Sequence, residues 1–273
     1  MRLCPSQIEK NWICTMMASY CSPMVALQPQ HWQHQEPIQQ QQVYWRRHNH
    51  ASELTCTEST DGHLQAMAAR IHEKAETIAQ SSGFLSSIPH SEVPLLDRCD
   101  IEVAPHVLGK GAFSEVYPIT NLHSRNHWDN KNMENVERLR ANFYRRLASG
   151  HHHQTAYALK QLRRDLAGKQ EDFESAAIDL CIEAKFLTRL NHPNIIKVRG
   201  LAKGWTSAFA KRHDGFFLVM DRLEPLDTRI ARWRDRLYHF PGARQPTFSR
   251  KMHYSLHVAA AIIYLHDRRI IFR

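Results

Sequence analysis

The sequence predicts an α+β fold, with five short strands interrupted by one helix and followed by a helical region. Short runs rich in β-branched or aromatic residues, bounded by turn residues, recur around 101–108, 114–119, 156–162, 195–199 and 216–220. A stripe of apolar residues at helical spacing occupies 171–190, and a second occupies 249–266. Strands with one interposed helix and then helices alone are the element pattern of an α+β domain.

Taken in order, residues 1–60 hold a Gln/His tract and little that could build a core, so they are expected to be a disordered Gln/His-rich region. Residues 61–98 read as an amphipathic helix and linker. Leu64, Met67, Ala68, Ile71, Ala75 and Ile78 recur at helical spacing, Gly83 follows as a stop, and two prolines mark 86–94 as the linker. This stripe is expected to pack on the neighbouring domain rather than recruit a partner. Order is expected from about Cys99 onward, in a single unit over 99–273. A polar insertion over 120–155 separates the second and third strands, and a helix within it would share Met133, Val136, Phe143 and Leu147 on one face.

The bulk properties exclude several classes. No run of eighteen apolar residues exists, so no membrane span is expected among these 273 residues. Six cysteines without a CxxC pair argue against a disulfide framework and for a reducing compartment, cytoplasmic or nuclear. The histidines at 31, 34, 48, 50 and 151–153 lie in biased polar stretches without the Cys/His spacing of a zinc site, so no metal site is expected. A formal charge of +9 selects no partner by itself.

The chemistry begins with LGKGAFSEVY, Leu108 to Tyr117. Gly109 and Gly111 allow a backbone to approach phosphate oxygens, although Ser114 stands where a third glycine would. Alone, this stretch reads equally well as a tight hairpin. In YALK, Ala158 and Lys160 fall two residues apart on one face of a strand, and an inward lysine needs an anionic partner. Glu183 supplies one. It lies on the helical stripe of Phe173, Ala176, Leu180 and Leu187, where a carboxylate without a cation is unstable. LNHPNIIKV then closes the helix and opens a strand, FFLVMDRLE forms an apolar strand with a charged end, and IIYLHDRRIIFR ends the sequence.

These motifs, in this order, resemble the successive landmarks of the eukaryotic protein kinase domain over roughly residues 100–273. The resemblance implies a kinase-like N-lobe, a five-stranded antiparallel sheet plus the αC helix, followed by the first helices of the C-lobe. ATP would be the nucleotide. Leu108, Val116 and Ala158 would roof the adenine, and the loop of Gly109, Lys110, Gly111, Ala112, Phe113 and Ser114 would cover the phosphates. Lys160, held by Glu183, would grip the α- and β-phosphates. Met220 would be the gatekeeper, Asp221 and Leu223 would bind the adenine edge through their backbone, and Leu187, Val198 and Phe272 would join the apolar spine.

Three departures accompany the resemblance. The insertion enlarges the gap between Val116 and Lys160, and it leaves the chemistry alone if it loops outward. Phe272 replaces the histidine of the HRD triplet. Arg273 stands where the family continues into its catalytic aspartate and its Mg2+ ligands, so the expectation is a protein kinase sequence, serine/threonine by frequency of type, that is incomplete here and inactive alone. A nucleotide-binding pseudokinase-like interaction module is the alternative. A basic nucleic-acid-binding protein, resting on Arg138, Arg140, Arg145 and Arg146, is disfavoured because no recognised nucleic-acid module accompanies them. The protein substrate is not legible.

Overall fold

The computed structural model describes residues 62–87, 93–123, 130–148, 156–211, 214–228, 230–231 and 248–271. Residues 1–61, including the Gln/His tract, and the histidine run at 151–153 lie outside them. The helices are α1 (Gly62–Ser81), α2 (Gly83–Ser87), α3 (Asn130–Ala148), α4 (Gln170–Arg189) and α5 (Phe248–His266). The strands are β1 (Leu95–Leu96), β2 (Ile101–Val103), β3 (Gly109–Lys110), β4 (Ser114–Leu122), β5 (Tyr157–Leu162), β6 (Val198–Ala202) and β7 (Phe217–Asp221).

The architecture is α+β, with a sheet richer than the expected five antiparallel strands. Seven strands run in the order β1-β6-β7-β5-β4-β2, with β3 hydrogen-bonded to β4. β1 pairs with β6 in parallel, through Leu95 against Leu201 and Leu96 against Ala202. Order therefore starts before Cys99. Two-residue strands carry no alternation, so nothing in the pattern announces β1 or β3. The run 101–108 does not form one strand either. Pro105 has no N–H to give the ladder, and the chain leaves β4 after the Ala104 N–H bond to the Pro118 carbonyl (2.9 Å) and rejoins it at the Leu108 N–H bond to the Val116 carbonyl (2.7 Å). β6 begins at Val198 rather than Ile195, because residues 191–197 are taken up by the turn around Pro193.

α4 buries Phe173, Ala176, Leu180 and Leu187, the stripe its spacing demands. α1 lies against it. Met67, Ala68, Ile71, Ala75 and Ala79 join the same core as the sheet, and Phe84 of α2 stacks on Phe186 of α4 at 5.5 Å. Three polar contacts fix α1 against α4 and against the turn Trp205–Ala210. Arg70 bonds Glu174, His72 Nδ1 lies 3.1 Å from Thr206 Oγ1, and the buried Lys185 ammonium donates to Glu76 at 2.7 Å while sitting 5.5 Å from the Trp205 ring.

The insertion does not loop outward. α3 buries Val136, Leu139 and Phe143. Phe143 stacks on Tyr157 at 5.8 Å, Arg140 Nε donates to the Leu122 carbonyl at 2.9 Å, and Asn132 bonds both backbone groups of Leu95. The expected stripe was therefore partly misplaced, since Met133 and Leu147 are exposed near the helix ends while Leu139 is buried. Tyr157 alternates with Ala158 and Lys160 along β5, so α3 covers the sheet face opposite Lys160. Arg138 and Arg140 pair with Glu134 and Glu137 on the same helix, and Arg146 reaches Asp221. No helix among the described residues is long and apolar enough to cross a membrane.

Candidate functional site: a glycine hairpin over a buried lysine–glutamate pair

Register assembles the site. Gly109 faces Val116, Val116 faces Lys160, Pro118 faces Ala158, and Ala158 faces Met220, which also faces Val198. Residues directly opposite in a sheet share a face, as do residues two apart on one strand. Val116, Ala158, Lys160 and Met220 consequently line one surface, which is the surface α4 approaches. Val116, Ala158 and Met220 are buried, and Leu108 packs at the core's edge.

Above it, β3 and β4 close a tight hairpin. Gly111 N–H donates to the Ser114 carbonyl at 2.8 Å, leaving Ala112 and Phe113 at the tip, with Phe113 exposed. Lys110 leans back to Glu115 (3.2 Å) rather than toward Lys160. Arg163, just after β5, anchors the tip. Its backbone N–H donates to the Phe113 carbonyl at 3.0 Å, and its Nη1 donates to the carbonyls of Ala112 (3.0 Å) and Gly111 (3.4 Å). The same guanidinium is bonded by Asp165, through Nε to Oδ1 at 2.9 Å.

Lys160 Nζ donates to both carboxylate oxygens of Glu183 at 2.7 Å, with side chains only 5% and 12% exposed. A charge pair this dry persists because each ion answers the other, and removing one partner of such a pair costs about 3–5 kcal/mol. Asp179 lies one turn before Glu183 on α4. Burial, then the Glu183 charge, raises its carboxyl to about 6.

Beyond Met220 the strand ends at Asp221, whose carboxylate receives Arg199 through Nε (3.1 Å) and Nη2 (2.7 Å) and Arg146 through Nη1 (2.7 Å). Asp221 N–H donates to the Lys197 carbonyl at 3.2 Å, and Leu223 is exposed just past it. Leu187 and Val198 are buried, while Phe272 lies outside the described residues. The residues expected at the site thus come together, apart from Lys110. Arg163, Arg146, Arg199 and Asp179 were not anticipated. Asp179 could have been found four residues before Glu183 at helical spacing; the arginines act through contacts that no local pattern records.

No family model matches the chain. A stretch of 116 residues is 29% identical to the inhibitor of nuclear factor kappa-B kinase subunit beta of Rattus norvegicus. It takes in 42% of this chain and 14% of that protein, so the match spans about one-seventh of the relative. The similarity is a distant and partial likeness to a protein kinase.

Proposed function

We propose that this chain carries the ATP-binding part of a protein kinase that phosphorylates protein hydroxyls, serine or threonine by expectation. One observation carries the reading: a buried lysine held at 2.7 Å by both oxygens of a helix glutamate, on the sheet surface bordered by a glycine hairpin. An ammonium so placed has a fixed position and two acceptors, and it can offer a remaining N–H to a phosphate oxygen. Val116, Ala158 and Met220 supply the apolar surface for a purine, and the backbone of Asp221 and Leu223 borders it. The partial likeness to a kinase subunit supports the same reading.

Phosphoryl transfer relies on positioning and charge stabilisation, and the residues here do the positioning. ATP reaches kinases with magnesium. Among the described residues no group of three or more His, Cys, Asp or Glu is placed to hold a metal ion. Calorimetric titration of the chain with ATP, beside Lys160→Met, tests the proposal. Binding by the wild type that falls at least tenfold in the variant is the expected result, and equal affinity would remove Lys160 as a phosphate ligand.

A further inference from the structure

Arg163 lies outside every motif described above, yet it binds the tip of the glycine hairpin through both its backbone N–H and its guanidinium. Its N–H and Nη1 draw three consecutive carbonyls, those of Gly111, Ala112 and Phe113, toward one residue. A trans peptide plane carries its N–H opposite its C=O, and no peptide here is cis. Turning the Gly111 and Ala112 carbonyls to the guanidinium therefore turns the Ala112 and Phe113 amides away from it. Successive amides aimed to one side form a concavity that suits an anion.

Asp165 sets the guanidinium itself. It binds Nε and Nη2, so Nη1 is left to the loop carbonyls. The two residues are joined by the turn Arg164–Leu166 at the end of β5, the strand that carries Lys160. The hairpin tip and the lysine are thus tied to one strand, and their spacing does not depend on the loop alone.

We propose that Arg163, oriented by Asp165, is a positioning residue that presents the Ala112 and Phe113 amides to the terminal phosphates of a nucleoside triphosphate. The proposal rests on the nucleotide-binding reading and adds a residue to it. It predicts a dependence on phosphate number. Adenosine meets only the apolar surface, so its affinity ignores Arg163, whereas ATP affinity requires it.

The test uses the full 273-residue chain with Arg163→Ala, Arg163→Lys and Asp165→Asn, titrated with adenosine and with ATP. Arg163→Ala is expected to weaken ATP about tenfold, the scale of a lost charge-assisted hydrogen bond, and to leave adenosine unchanged. Lysine restores the charge without the fork and recovers part of the loss; Asp165→Asn shows a smaller loss of the same kind. Amide hydrogen exchange across residues 108–116, without nucleotide, is expected to speed up in Arg163→Ala. Equal weakening of adenosine and ATP would mean that Arg163 is only structural, and unchanged ATP affinity with unchanged exchange would overturn its role outright. If the wild type binds neither ligand, the nucleotide reading fails and this proposal fails with it. If the wild type binds and only the Arg163 effect is missing, the nucleotide reading stands.

Discussion

Arg146, on the inserted helix, donates to Asp221 at the end of β7 at 2.7 Å, and its guanidinium sits 5.4 Å from the ring of Tyr157. The insertion is thereby fastened to the strand end that borders the candidate site. Arg199 holds the other side of the same carboxylate, and that hydrogen bond raises the Arg199 pKa further. Asp221→Ala leaves both guanidinium groups without this acceptor and is expected to cost about 1–3 kcal/mol. Arg146→Ala removes a half-exposed partner and should cost under about 1 kcal/mol. Urea unfolding of the two variants checks the order, and a larger loss in Arg146→Ala would reverse this picture of the strand end.

The pair formed by Lys185 and Glu76 is asymmetric. The lysine is 5% exposed and the glutamate 32%. Glu76→Gln strands a buried ammonium, whereas Lys185→Met leaves a carboxylate that can reach water. The first change is expected to destabilise by about 3 kcal/mol and the second by clearly less. Denaturation midpoints of the two variants measure the difference, and equal losses would count against a buried charge pair between α1 and α4.

Asp179 gives the fold a pH dependence of definite sign. Its carboxyl rises from an ordinary 3.8 to about 6 on folding, so between those values the folded chain holds more protons than the unfolded one. Stability from this group is therefore greatest below about pH 4 and falls as pH climbs to about 6. Glu174, held low chiefly by its hydrogen bond from Arg70, contributes in the opposite sense. The difference between wild type and Asp179→Asn isolates the effect. The variant should gain about 1–2 kcal/mol above pH 6 after solvent screening, with the gain vanishing near pH 4. A gain that does not change with pH would assign the effect to packing.

Gly200 in β6 marks where the unexpected strand docks. A Cβ there would lie 2.8 Å from Leu96 Cδ1 and 3.4 Å from the Pro94 carbonyl oxygen. Leu96 is buried and has little room to yield. Gly200→Ala is expected to cost about 1–3 kcal/mol, as overpacking does. Faster exchange of the Leu201 and Lys203 amides, which bond Pro94 and Leu96, would localise the damage to β1. Unchanged stability would mean that β1 shifts freely.

The candidate site was legible because its determinants are local. Ala158 and Lys160 lie two positions apart on one strand, and Glu183 interrupts an apolar helix face at a position where only a cation could justify it. The helices over 62–81 and 170–189 were equally plain from period. What escaped was long-range or short. β1 is two residues and exists only through its partner β6, and Arg163 meets the hairpin 50 residues away in the chain through loop geometry. The inserted helix was placed but its seat was not, because Phe143 could have faced solvent or Tyr157 and only packing chose between them. Leu256, Val258 and Ile263 of α5 are exposed among the described residues.

The central claim is that the phosphates of ATP sit over Lys160. An ATP acyl-phosphate probe, which transfers its acyl group to an amine held beside the phosphates, reads that position directly when the labelled peptide is mapped by mass spectrometry. Label concentrated on Lys160 and suppressed by excess ATP, with adenosine at the same concentration suppressing it less, is the expected result. Label spread over exposed lysines such as Lys169 and Lys211, with no protection of Lys160 by ATP, would contradict it.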